Sequence, residues 1–158
     1  EYYLLADLIN NAQRRCQEGK YDDALARLYR AVEFISQTRL KKEYGIDTSD
    51  VDLDRIPVFV QEKYQKKMKN GKIKIGLFEG YKLLRELNDD LGSLFISDNR
   101  LFDLLNKRNS SILAHGFEPI TGERVEEVKE LNDKVIYLGG ILYQGLDDLM
   151  CKAEFMKL

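Results

Sequence analysis

Only two prolines, Pro57 and Pro119, interrupt long stretches in which apolar residues recur every three or four positions. Proline removes a backbone donor and clashes with the preceding turn, so its scarcity lets helices run. The spacing gives each helix one face to bury. Strand-like alternation is nearly absent, and the fold class is all-α. The pattern predicts helices over about Tyr2 to Gln17, with Leu5, Leu8, Ile9, Ala12 and Cys16 inward, and Tyr21 to Tyr44, with Ala24, Leu28, Ala31, Val32 and Ile35 on one stripe. Gly19 and Gly45 read as their stops. Shorter helices are expected over Val58 to Met68 and Leu77 to Asn88, within an otherwise irregular insertion around 46–98. Two more follow, from about Arg100 to Ala114 and, as one long C-terminal helix, from about Glu123 to Phe155.

A chain of 158 residues with 44% hydrophobic residues has material for one core, so residues 1–158 are expected to form a single helical domain. The string GKYDDALARLYRAVE at 19–33 resembles half of a tetratricopeptide repeat. No second copy follows about 34 residues later, so it reads as a helical hairpin inside another fold. In the last helix Val128, Leu131, Val135, Leu138, Leu142 and Leu149 form a near-heptad stripe, as a core or a dimer seam would. Gly139, Gly140 and Gly145 weaken that helix by up to ~1 kcal/mol each, which suggests close backbone approach there.

With 25 basic and 27 acidic residues, no whole-chain field attracts nucleic acid or an anionic membrane, so such a partner must meet a local patch. The candidate is 62–74, EKYQKKMKNGKIK, with six lysines, one glutamate and a turn at Asn70-Gly71. A solvated helix face explains it; a contact for phosphates is the alternative. Cys16 and Cys151 are too few for a disulfide scaffold or a four-ligand zinc site, which fits a reducing, cytoplasmic setting. No apolar run approaches the ~20 residues of a membrane span. The first residue is Glu1 and a helical pattern is under way by Tyr2, as in the C-terminal fragment of a longer protein.

The helix after Arg100 carries a polar face where an apolar one is expected. On a wheel with about 100° per residue, Leu101, Phe102, Leu104, Leu105, Ile112 and Leu113 form an arc that also contains Arg108, Asn109 and His115, the chain's single histidine. Asp103, Lys107, Ser110 and Ala114 take the opposite side. A guanidinium on a core-facing stripe costs several kcal/mol unless it is paired or meets a cavity. Singly, His115 before Gly116 reads as a helix ending and Arg108 as a buried ion-pair partner. Together on one face they read as a site. Seven residues separate them by about 10 Å along the axis, so one helix alone gives an incomplete constellation. If the arc docks on a symmetry mate, two arginines and two histidines converge in one cleft.

Arg108-Asn109-x5-His115-Gly, written RNSSILAHG, resembles the R-x(4–6)-H motif of HEPN domains, where a polar residue commonly follows the arginine. The surrounding LLNKRNSSILAHGFEPI and the amphipathic helix after it resemble the C-terminal HEPN region of CRISPR-associated CARF–HEPN ribonucleases of the Cas02710-type branch. The resemblance implies a helical HEPN-like bundle, a homodimer, and metal-independent cleavage of single-stranded RNA in antiviral defence. It also implies a CARF-like regulatory domain on the N-terminal side, which this chain does not contain. Catalytic residues by this resemblance are Arg108, Asn109 and His115; no cofactor, metal site or membrane contact is expected. A catalytically silent helical binding or dimerisation module is the alternative.

Other chemistries find less support. Ser111 lies four residues before His115, but no GxSxG elbow is present. The cysteines have no neighbouring histidine and no phosphate-binding GxxxxGK[ST] loop occurs. The pairs Asp89-Asp90 and Asp147-Asp148 point to different helix faces and read as solvated termini.

Overall fold

The computed structural model describes residues 2–113 and 122–155, with side chains over 2–107 and 124–154. The described residues form helices α1 (Tyr2–Gln17), α2 (Tyr21–Tyr44), α3 (Val58–Gln65), α4 (Leu77–Glu86), α5 (Asp90–Ser97), α6 (Asn99–Leu113), α7 (Gly122–Leu142) and α8 (Leu146–Phe155), with a 3-10 turn at Leu53–Arg55. The fold is all-α, and α1 and α2 keep the limits their spacing predicts. Gly19 and Gly45 end them in the left-handed conformation, at φ 75° and 65°. Beyond each, a six-residue bond closes the end: Lys20 N–H donates to the Arg15 carbonyl at 2.8 Å, Ile46 N–H to Leu40 at 3.0 Å.

The chain divides into two compact units, with the division inside α2. The first comprises residues 1–32 and 98–158. Its core is built from Leu5 and Ile9 of α1, Leu28 and Ala31 of α2, Leu101, Leu104 and Leu105 of α6, and Val128, Leu131 and Val135 of α7, all buried. The α7 stripe is therefore core. The long helix expected over 123–155 is two helices with a turn at 143–145. Tyr143 stacks on Tyr2 there, ring centroids 4.3 Å apart and planes 6° from parallel. The turn returns α8 to α1, where Leu146 is buried and Asn10 Nδ2 donates to the Met150 carbonyl at 2.9 Å. One continuous helix would carry these contacts away from α1.

The second unit, 33–97, is more helical than an irregular insertion. Helix α5, which the spacing does not predict, packs closely on α4. A Cβ at Gly92 would lie 2.1 Å from the Arg85 nitrogen, so the close backbone approach occurs here. It does not occur at Gly140, which has open space, nor at Gly145, where the atoms nearest a Cβ belong to the Tyr143 side chain. Helix α3 ends at Gln65 and α4 at Glu86, each earlier than expected. Tyr81 stacks on Phe95 at 3.9 Å in the core.

Asp89 also departs from its expected solvated role, since its side chain is 2% exposed. It accepts Arg39 Nε and the Tyr44 hydroxyl, both at 2.8 Å, and through its other oxygen the Leu91 N–H at 3.0 Å, which caps α5. Burial, then the hydrogen bond to this carboxylate, raises the Tyr44 pKa to about 12.

Candidate functional site

The first unit positions α6 from its beginning. Asp98 precedes the helix, and its Oδ1 accepts the Leu101 N–H at 2.9 Å, satisfying one of the unpaired donors of the first turn. Its Oδ2 accepts Lys134 Nζ of α7 at 2.6 Å. Burial pushes the Asp98 carboxyl up, but Lys134 and the Leu101 N–H outweigh it and hold the pKa below its ordinary value. Arg100 grips both oxygens of Glu130 at 2.9–3.1 Å, and Lys107 pairs with Glu127. The pairs at 98–134, 100–130 and 107–127 run in opposite chain directions, so α6 and α7 are antiparallel neighbours. Beneath these pairs lie Leu101, Leu104 and Leu105.

The three predicted site residues stand differently. Arg108 and Asn109 belong to the backbone of α6, with position 108 seven residues after Leu101 and four after Leu104. Their side chains lie outside the described part of the structure. His115 lies outside the described residues altogether. What is established is the helix that delivers position 108, capped at its start and clamped to α7 up to Lys107, one residue before the arginine.

Two details of the arc differ from expectation. Phe102 is 46% exposed, because it lies about 100° from Leu101 and the buried sector ends at Leu105. More consequentially, Leu101, Leu104 and Leu105 are buried within their own unit and are not free to dock on a second copy. Asp103 and Lys107 are exposed, as the wheel predicts. The ion pairs to α7 were not legible, since nothing in sequence indicates which carboxylates face α6.

Elsewhere in this unit, a cavity of about 350 Å³ lies between α1 and α7, lined by Cys16, Val128, Lys129 and Asn132 among others. Burial pushes the Cys16 thiol up, against a smaller pull from Lys129, so it is poorly suited to act as a thiolate. Among the described residues no three His, Cys, Asp or Glu side chains gather as a metal-ligand set.

The family model described as Csm6 HEPN domain matches residues 1–137. The chain belongs to this family. The match to the Csm6 HEPN domain runs through α1–α6 and on to Tyr137 in α7, so it includes the 108–115 string and leaves α8 outside. Membership supports a CRISPR-linked, ribonuclease-type role for this HEPN domain. No curated protein and no solved structure matches it. Among the described residues no helix is long and apolar enough to cross a membrane.

Proposed function

We propose that this HEPN domain is a metal-independent endoribonuclease that cuts single-stranded RNA at a site shared by two copies of the chain. The observation that carries the reading is that the family match contains Arg108, Asn109 and His115 in motif order. The ribose 2′-hydroxyl attacks the adjacent phosphorus and the 5′-oxygen of the next nucleotide leaves. A base takes the 2′-proton and an acid returns one to the leaving oxygen, giving a 2′,3′-cyclic phosphate and a 5′-hydroxyl. Histidine is the side chain whose ordinary chemistry suits both proton transfers, and His115 is the chain's single one. One histidine per chain makes an acid–base pair a matter of two protomers. Arg108 offers its planar fork to the phosphoryl oxygens as charge develops, and Asn109 holds the histidine or a phosphate oxygen.

Because Leu101, Leu104 and Leu105 are buried in the fold, the homodimer in this reading forms around the motif that begins at Arg108 and not along the leucine stripe of α6. The domain works in the cytoplasm, in antiviral defence, under a CARF-like domain of the same protein. The test is incubation of the purified domain with end-labelled single-stranded RNA in EDTA. Wild type should cut and leave cyclic-phosphate ends, and His115→Ala should lower the rate at least ~100-fold, as expected for loss of a general acid–base group. A wild type that binds RNA but cuts no faster than His115→Ala would make the domain a silent binding module.

A further inference from the structure

The second unit carries a basic edge whose backbone is fixed. Asn70 (φ 52°) and Gly71 (φ 75°) are the two central residues of a tight turn, both in the left-handed region, as a type I′ turn requires. Lys69 and Lys72 flank it and exchange both backbone hydrogen bonds, at 2.9 and 3.0 Å. Beyond the turn the chain alternates with period two: Ile73 and Ile75 are buried, Lys72 and Lys74 exposed. Two backbone bonds tie this run to the preceding loop, from Val51 N–H to the Ile73 carbonyl at 2.8 Å and from Ile75 N–H to Thr48 at 2.9 Å. The isoleucines anchor the strip, and the lysines stand on its open side.

These lysines border a cleft of about 650 Å³ lined by Lys66, Lys67, Lys69, Lys72, Lys74 and one carboxylate, Glu79. Lys67 is paired with Glu79 and Lys66 with Glu62. Among the described residues Lys69, Lys72 and Lys74 make no ion pair. Charge is segregated here: residues 62–74 hold six lysines and one glutamate, leaving 19 basic and 26 acidic residues elsewhere. Like charges fixed side by side repel one another and oppose folding. Lys72 lies near enough to Asp47 to help hold its carboxyl below the ordinary value, but the two form no ion pair, and most of the strip's charge is left to face solvent.

We propose that the cleft between the 69–72 turn and Glu79 is a docking edge for the phosphate backbone of single-stranded RNA, separate from the groups that perform cleavage. The choice of RNA rests on the ribonuclease reading above. The geometry favours a strand: two residues of extended chain set Lys72 and Lys74 about 6.6 Å apart, close to the step between neighbouring phosphates of an extended polynucleotide. No aromatic side chain lines the cleft, so contacts are to phosphate and binding is indifferent to base sequence. Glu79 limits the site by occupying Lys67 and by repelling the strand.

The test measures anisotropy of a labelled oligouridylate on the His115→Ala protein, so that binding is read without cleavage, between about 50 and 200 mM salt. Replacing Lys69, Lys72 and Lys74 together with Gln removes three phosphate contacts. The logarithmic salt slope should become shallower by about 2, with affinity weakened on the order of 100-fold near 0.1 M. Glu79→Gln should move the other way and tighten binding several-fold, a gain that misfolding could not produce. An unchanged slope and affinity in the triple variant overturns the proposal, as does tighter binding of phosphatidylserine vesicles than of RNA to the same edge. Cleavage is scored separately on protein with His115 intact. A cutting enzyme with an unchanged slope refutes only the docking edge; a shallower slope without cutting refutes only the ribonuclease reading.

Discussion

Both units carry surface ion pairs, but each has one feature of charge that the other lacks. In the first, cations and carboxylates meet pairwise along an open seam: Arg100 with Glu130, Lys107 with Glu127, Lys134 with Asp98, above buried leucines. In the second, one carboxylate, Asp89, is drawn into the interior beneath its half-buried partners, while Lys69, Lys72 and Lys74 stand at the surface without an ion pair. A pair at the surface sets the alignment of two helices at small energetic weight, because water screens it. A pair in the interior carries more, because breaking it leaves groups that water cannot easily reach. Like charges left without an ion pair at the surface repel one another and oppose folding, so a binding role accounts for them better than a structural one.

The largest stability effect should come from Asp89. Asp89→Ala removes the acceptor for Arg39, the Tyr44 hydroxyl and the α5 cap together, and about 3 kcal/mol of stability should be lost. Arg39 is 24% exposed, so some water reaches it and the loss should stay at the lower end for a buried pair. Asp89→Asn keeps an acceptor and should lose less. Urea unfolding of the two variants checks the order. Equal, small losses would mean that the interior carboxylate matters no more than the seam.

Asp98 lies between the extremes, part-buried and joined to α7. Asp98→Ala should cost about 1 kcal/mol for the cap, somewhat more with Lys134 left unpaired. Its pKa is lowered in the folded state. The unfolded state therefore takes up this proton first as pH falls. The contribution is complete above the ordinary carboxyl value of ~3.9 and is lost as pH drops below it toward the folded value. Asp98→Asn should flatten that part of the stability–pH curve. An unchanged curve would mean that Asp98 does not titrate against Lys134.

How much could be read in advance follows from range. The limits of α1 and α2 were legible because glycine stops and helical periodicity act over a few residues. The stripe Leu101, Leu104, Leu105 was legible for the same reason, and so was the Asn70-Gly71 turn. Phe102 was not, since a wheel gives an angle and not where the covering helix ends. The break at 143–145 is not legible locally because Tyr143 stacks on Tyr2, nor is the burial of Asp89, because Arg39 is fifty positions away in the chain. Of the candidate site, the motif was legible as a string. The clamp that holds α6 on α7 depends on residues twenty to thirty-six positions apart.

The smallest effect belongs to the seam, and it sharpens the contrast with the lysine edge. Glu130→Gln breaks a two-pronged grip between side chains that are 45% and 39% exposed. Melting temperature should fall slightly at low salt, and the difference should shrink toward 1 M NaCl, where the screening length falls to about 3 Å, the length of the pair itself. Replacing Lys69, Lys72 and Lys74 with Gln removes more charge, yet melting temperature should hold or rise at low salt, because the repulsion relieved outweighs the exposed pull of Lys72 on Asp47 and no ion pair is lost. If the triple variant instead melts earlier, those lysines support the fold, and their open side is not free for a phosphate strand. If Glu130→Gln costs as much as Asp89→Ala, exposure does not set the weight of a pair in this protein.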